Sequence, residues 1–326
     1  MRRIACLIYP EVMSLDVTGP MQVFASANEE LARLGRAPAY ALLMLGEQAG
    51  PVATSAGFSL YAEQRYHDTD PASLDTLLVP GGRGEAAQFA NPPLLAWLSR
   101  AATQVQRLGS VCSGALILAH AGLLDGHRAT THWADVEALK AFPAIDVQGE
   151  RLHTYSRASR QRFTSAGVTA GIDLALALVE DDLGRPIALA VARRLVMFLK
   201  RPGDQAQFSP HLAPQACRAP RLGALLEWIP GQLGGDLSLE ALAARACMAP
   251  RTLYRVFMAE LGVTPARYVE QVRLESARAL LQGGQASVQS VARLCGFGHP
   301  ESMRRSFHKA LGVSPQDYAE RFGVQA

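Results

Sequence analysis

Cysteine is scarce in this 326-residue chain, and the five that occur do not pair by spacing. Cys6, Cys112, Cys217, Cys247 and Cys295 are odd in number and widely separated, with no Cys-x-x-Cys pair and no Cys/His zinc spacing. A disulfide framework and a zinc finger are therefore excluded, and reduced thiols in the cytoplasm are expected. Long apolar runs are missing too. None reaches the ~20 residues that span a bilayer, so no membrane segment is expected. The opening MRRIACLIYPEVMSLD carries two arginines, but Pro10 and Glu11 cut its apolar stretch short of what a signal peptide needs. The stretch reads as a buried strand, and the protein as cytoplasmic. No phosphate loop is present, because GGRG (81–84) alone is too little to cradle a nucleotide. His67, His120, His127 and His153 show no ligand spacing, so neither a metal nor a cofactor is expected.

What remains is the composition of a globular protein, 49% hydrophobic and 19% charged, long enough for two domains. The net charge of +3 is unevenly placed: residues 1–216 hold 19 Lys+Arg against 20 Asp+Glu, and residues 217–326 hold 13 against 9, so −1 is joined to +4. The first part alternates short aliphatic runs with helix-period segments, the pattern of a parallel sheet covered by helices. IACLIY (4–9), AYALLML (39–45), DTLLVP (75–80) and the run into Val111-Cys112 read as strands. Helices are expected from Pro20, from Pro92 behind an Asn91 cap, over 167–184 and over 185–201. Four prolines between Arg201 and Arg221 mark a linker. The boundaries read as an α/β domain over 1–200, a linker over 201–220 and an all-α domain over 221–326.

The last hundred residues repeat. An offset of fifty superposes Pro250 on Pro300, Arg255 on Arg305, Phe257 on Phe307, Leu261-Gly262-Val263 on Leu311-Gly312-Val313 and Tyr268 on Tyr318. Upstream the offset is forty-nine, LAARAC (242–247) on VARLCG (291–296). Each copy has a short helix behind a serine cap (Ser238, Ser287), a turn, and a second helix that starts at proline and ends at Gly262 or Gly312. This is a helix-turn-helix, present twice. Burying Leu253, Val256 and Phe257 leaves Arg251, Thr252, Tyr254 and Arg255 outward at the start of one second helix. Burying Met303 and Phe307 leaves Glu301, Ser302, Arg304 and Arg305 outward on the other. Such N-terminal turns enter the major groove, where arginine bridges guanine O6 and N7. The intervening PARYVEQVRLESARALLQ (265–282) is one helix of about 25 Å, a spacer suited to recognition helices about 34 Å apart. LGVTPARYV, LGVSPQDYA, the Gly296-Phe297 pair and the arginine-aromatic spacing together resemble the AraC-type DNA-binding domain over residues 221–322. Ala249 departs from the serine cap usual in that family.

In the first domain LGSVCSGALILAHAGLL places Cys112, with Ser113 beside it, at a strand-to-helix elbow. A thiol at a helix N-terminus meets backbone N–H groups and the positive end of the dipole, which predicts a thiolate. Asp16 follows the first strand at the same sheet edge, His132 is a proton carrier downstream, and Gly81 and Gly82 offer N–H groups for an oxyanion or carboxylate. A plain structural reading stays open, with Cys112 a small core residue, His132 a hydrogen-bonded core histidine and Asp16 a helix cap. Cys6, Cys217, Cys247 and Cys295 read as structural.

These residues resemble the DJ-1/PfpI superfamily over residues 3–200, and CSGALILAHAGLLDGHRATTHW is particularly similar to isonitrile hydratase-like members. The resemblance implies a flavodoxin-like doubly wound sheet, with Asp16 as the acid beside the cysteine, Cys112 as the elbow nucleophile and His132 as the nearby histidine. GlxA-like regulators fuse such a domain to an AraC-type module and use it for sensing. The chain thus resembles a regulator rather than an enzyme, taking double-stranded DNA and a small-molecule effector, amino-acid-like or another nitrogen compound. A homodimer, and RNA polymerase if the protein activates, are the implied protein partners. A cysteine-dependent hydratase or amidase and a Cys112 redox sensor are the alternatives.

Overall fold

Short strands followed by helices that carry the chain back give a parallel sheet with right-handed crossovers. The computed structural model describes residues 1–197, 203, 219–284, 286–311 and 313–322. Its strands are β1 (Arg2–Leu7), β2 (Tyr40–Gly46), β3 (Gly50–Ala53), β4 (Ser59–Ala62), β5 (Gln64–Arg65), β6 (Thr76–Val79), β7 (Arg107–Val111), β8 (Arg128–Ala129), β9 (Asp146–Val147) and β10 (Arg162–Ser165). One six-stranded sheet runs β10-β7-β6-β1-β2-β5, parallel throughout, while β3-β4 and β8-β9 form small separate pairs. The chain order reverses between β1 and β6. That reversal opens a crevice at the strands' C-terminal ends.

The helices of this part are α1 (Ser14–Arg33), α2 (Glu85–Phe89), α3 (Pro92–Gln104), α4 (Gly114–His120), α5 (Val136–Lys140), α6 (Thr169–Leu183) and α7 (Arg185–Arg194). Helices α1, α6 and α7 pack on one another, and α2, α3 and α4 form a second group. Covered strands read as unbroken apolar runs: Thr76–Val79 is wholly buried, as are Ile4, Ala5, Cys6 and Leu7.

Several boundaries differ from expectation for identifiable reasons. The first helix starts at Ser14, not at Pro20, which lies inside it. Pro20 lacks the N–H that would bond the Asp16 carbonyl one turn back, and the helix continues past it. Strand β7 starts at Arg107, disguised by a charge. That arginine is buried and makes two 3.0 Å hydrogen bonds to Asp182 and one of 2.8 Å to Thr76. The Asn91 cap of α3 is present, its side chain accepting from Leu94 N–H at 3.2 Å.

The chain divides into two compact units, Met1–Gln207 and Phe208–Ala326. The expected linker lies outside the described residues except for Gly203, Ala219 and Pro220, and Cys217, Gly312 and the last residues of the expected helix over 185–201 lie outside them too. The second unit shows only helices among its described residues: α8 (Pro220–Trp228), α9 (Leu239–Arg245), α10 (Pro250–Leu261), α11 (Pro265–Gln282), α12 (Val288–Leu294), α13 (Pro300–Leu311) and α14 (Pro315–Phe322). Ser238 and Ser287 cap α9 and α12, accepting from Ala241 and Ser290 N–H, and Gly262 ends α10 in the left-handed conformation. The repeat folds as two cores. Leu226, Leu242, Leu253, Phe257 and Val272 belong to the first, and Ala277, Val291, Met303, Phe307 and Tyr318 to the second. The same edge-on aromatic pair recurs in each, Phe257 on Tyr268 and Phe307 on Tyr318, with ring centroids 5.8 and 5.6 Å apart. No described helix is long and apolar enough to cross a membrane.

Candidate functional site

Four chain segments leaving the C-terminal ends of β1, β6, β7 and β10 meet at Cys112. The elbow is tight: Cys112 holds φ at +57° and Val168, opposite, holds +51°. Left-handed backbone at residues with side chains costs roughly 1–3 kcal/mol each, so packing must hold them there. Glycines make that packing possible. A Cβ at Gly167 would overlap Cys112, and one at Gly114 would overlap the Val79 carbonyl oxygen.

Asp16 ties these segments together. Fully buried, its carboxylate accepts Val168 N–H at 2.7 Å and Gly81 N–H at 3.3 Å, and bonds the Cys112 thiol. Burial pushes its pKa up to about 6, against the opposing pull of those three hydrogen bonds. Gly82 N–H donates to Ser113 Oγ at 3.2 Å, and Thr131 Oγ1 donates to the Cys112 carbonyl at 3.0 Å. Asp16, Gly81, Gly82, Cys112 and Ser113 thus form one connected cluster. The Nδ1 of His132 accepts the Ala134 N–H at 3.4 Å and lies 3.9 Å from Asp135, and no described hydrogen bond joins it to the thiol.

Two expectations need correction. The Cys112 thiol is not lowered to a thiolate but pushed far up, by burial first and by the neighbouring Asp16 carboxylate second. The hydrogen bond from Ser113 N–H works the other way and is outweighed. The Gly81 and Gly82 amides are not open to an oxyanion, because Asp16 and Ser113 already accept from them. They frame the elbow instead.

The fold also gathers residues that the sequence did not single out. Tyr9 donates its hydroxyl to the Pro80 carbonyl at 2.9 Å, and its phenol is raised by burial first and then by Glu85, Asp16 and Cys112. Glu85, at the first turn of α2, is pushed up to about 7 by burial and by Asp135, while burial also raises Asp135. Glu85 follows the glycine turn directly and Asp135 follows His132 by three residues. That spacing was the available signal.

In the second unit the outward turns lie where the repeat places them. Arg251, Thr252, Tyr254 and Arg255 on α10 are exposed, as are Glu301, Arg304 and Arg305 on α13, while Ser302 is half-buried. Helix α10 has no side-chain cap at Ala249, whereas His299 caps α13, its Nδ1 accepting Glu301 N–H at 3.2 Å. Glu301 takes two 2.8 Å hydrogen bonds from Arg304, which hold its carboxyl below the usual range. The two helices therefore differ in chemistry: α10 opens with exposed basic and hydroxyl groups, and α13 opens with an acid-arginine fork.

Comparison with known proteins agrees with both halves. Residues 2–181 match the DJ-1/PfpI family and residues 242–321 match a helix-turn-helix domain. The HTH-type transcriptional regulator CdhR of Pseudomonas aeruginosa is 31% identical over 300 residues, 91% of this chain and 87% of that one. The HTH-type transcriptional regulator GlxA of Rhizobium meliloti is 29% identical over 313 residues, 92% of each chain. Isonitrile hydratase of Pseudomonas putida is 34% identical over 214 residues, 66% of this chain and 86% of the enzyme. Among solved structures, a THiJ/PfpI family protein from Pseudomonas syringae superposes with a TM-score of 0.55 at 27% identity, over 75% of this chain and 88% of that one. The chain belongs to the DJ-1/PfpI family, its parallel-sheet domain joined on one polypeptide to an AraC-type helix-turn-helix region.

Proposed function

We propose that the protein is a sequence-specific DNA-binding transcription regulator whose α/β domain binds a small effector at the Cys112 elbow. The observation that carries the reading is the pair of helix-turn-helix units in series on α11, each with an exposed arginine-bearing first turn on its second helix. The regulators CdhR and GlxA, similar along nearly the whole chain, support it. Arg251, Thr252, Tyr254 and Arg255 read one stretch of major groove, and Glu301, Ser302, Arg304 and Arg305 the other. A homodimer would present four such helices, and contact with RNA polymerase would follow if the protein activates.

Glu85, Asp135 and Asp16 bring to the elbow carboxyl groups that burial holds toward the neutral form and that a cationic nitrogen would help to ionise, which suits an amino-acid-like or related compound. The cytoplasm is the compartment consistent with this role. Two measurements test it. Selection of duplexes from a randomised pool by the full chain should enrich a defined sequence with salt-dependent affinity, and recovery of none would overturn the reading. A metabolite thermal-shift screen should find an effector, since a ligand at 100 times its Kd adds about 2.7 kcal/mol.

A hydratase-like activity is the second reading, favoured by the Asp16–Cys112 hydrogen bond and by the resemblance to isonitrile hydratase. The raised thiol, with no described hydrogen bond from it to His132, counts against it. Turnover of an isonitrile by the wild type, abolished in Cys112→Ser, would establish it.

A further inference from the structure

The two helix-turn-helix units use the same turn, yet fill its left-handed position differently. Cys247 occupies it after α9 with φ +52°, and Gly296 occupies it after α12 with φ +72°. Both turns close alike, with Met248 N–H on the Ala243 carbonyl and Phe297 N–H on the Ala292 carbonyl, each at 2.9 Å. The exposed Cys247 shows that this turn tolerates a side chain. Backbone conformation alone therefore does not require glycine at 296.

The requirement comes from the other unit. A Cβ on Gly296 would overlap the carbonyl oxygen of Leu233, fall 2.7 Å from its carbonyl carbon and 3.0 Å from Arg273 Nε. Leu233 belongs to the first core, in the segment after α8, whereas Gly296 closes the turn of the second unit. Arg273 of α11 donates from Nη2 to the same Leu233 carbonyl at 3.2 Å. It sits where α11 passes from one core, at Val272, to the other, at Ala277. A second tie reaches the recognition helix itself, since Glu270 of α11 accepts from Ser306 Oγ at 3.0 Å and faces Lys309 Nζ at 3.6 Å.

We infer that Leu233, Arg273 and Gly296 form a latch that docks the two units face to face and fixes the angle and separation of the two recognition helices. The inference rests on the DNA-binding reading and adds to it: these three residues set the spacing the protein accepts, without touching a base. Only glycine at 296 lets the Leu233 carbonyl approach closely enough for Arg273 to hold it.

The test uses the full chain and a duplex selected from a randomised pool by the wild type. Against it stand the same duplex with one half-site scrambled, and versions with one or two base pairs inserted between the half-sites. Wild type should bind the inserted duplexes at least about tenfold more weakly, because a rigid pair cannot follow the altered phase. Gly296→Ala should bind the original duplex about tenfold more weakly than wild type does, and should no longer distinguish it from the inserted ones. Its affinity should match that of wild type for the scrambled half-site duplex. Cys247→Ala, at the equivalent position, should keep the wild-type spacing preference. Arg273→Met removes the donor without adding bulk and covers the case in which Gly296→Ala does not fold by circular dichroism. It should relax the spacing preference in the same direction. A wild type that selects no duplex would overturn the DNA-binding reading and the latch together. Wild-type spacing dependence in both folded variants, on a duplex the wild type does select, would overturn the latch alone.

Discussion

Replacing Asp16 by asparagine should remove one component of the pH dependence of the first domain's stability, and the structure sets the size of the effect. Asp16 is fully buried and its pKa is pushed up to about 6 from the ordinary 3.8. The folded domain therefore holds the protonated acid more favourably than the unfolded chain does. That contribution is complete below pH about 4 and is lost as pH rises through about 6. At about 1.4 kcal/mol per tenfold change in proton affinity, the loss is about 3 kcal/mol. Asparagine cannot ionise, but it replaces one acceptor with an amide that faces the Gly81 N–H or the thiol, a pH-independent loss of about 1–3 kcal/mol. The variant should be the less stable protein at pH 4 and draw level or ahead at pH 7. For a domain of roughly 200 residues, at about 2–4 °C per kcal/mol, the gap between the two melting temperatures should move by roughly 6–12 °C over that range. Calorimetry of the full chain, following the first domain's transition in buffers from pH 4 to 7.5, measures it. Glu85 and Asp135 are raised too, but they are present in both proteins and largely cancel in the difference. A difference that stays flat across the range would refute the assignment of a buried, ionising Asp16.

Arg255→Ala and Arg305→Ala should each weaken binding to the selected duplex by about 1–3 kcal/mol in fluorescence anisotropy, with circular dichroism unchanged, because both side chains are exposed. Phe257→Ala should destabilise the first helix-turn-helix by about 3–5 kcal/mol in urea unfolding, since the ring is fully buried beside Tyr268. A fragment over residues 208–326 should fold and bind DNA with a salt-dependent affinity below that of the full chain, and a folded fragment with no such binding would count against modularity. Cys112→Ser should leave basal DNA affinity nearly intact and change the response to an effector found by thermal shift. An unchanged response in both reducing and oxidising buffer would make Cys112 structural.

The sequence shows most clearly what local chemistry decides. Ser238 and Ser287 cap their helices, α11 runs over the residues its period outlines, and the exposed turns of α10 and α13 fall where a buried Phe257 and Phe307 leave them. Strands β1, β2 and β6 announce themselves because both faces are covered. Strand β10, RFTS, does not, since the Thr164 hydroxyl is satisfied by a partner distant in sequence, the Thr130 N–H that donates to it. The elbow was legible as a turn, but not its ionisation. Whether Cys112 is thiol or thiolate depends first on its own burial and second on the Asp16 carboxylate beside it, and Glu85 and Asp135 become part of the site only through the fold.

Helix α11 is shared between two cores, and this makes the C-terminal unit resemble a short repeat array more than a single cooperative block. In such arrays each copy has its own stability, and neighbours lend the rest across their contact. Among the described residues the first core holds fourteen buried hydrophobic side chains and the second nine. The second copy should therefore open first. Amide hydrogens of α12 and α13 should exchange through local openings that leave α9 and α10 protected. Bound DNA would then slow exchange most in the copy that is weaker alone, and a C-terminal unit with only its first copy folded would be a state open to the free protein and closed to the bound one.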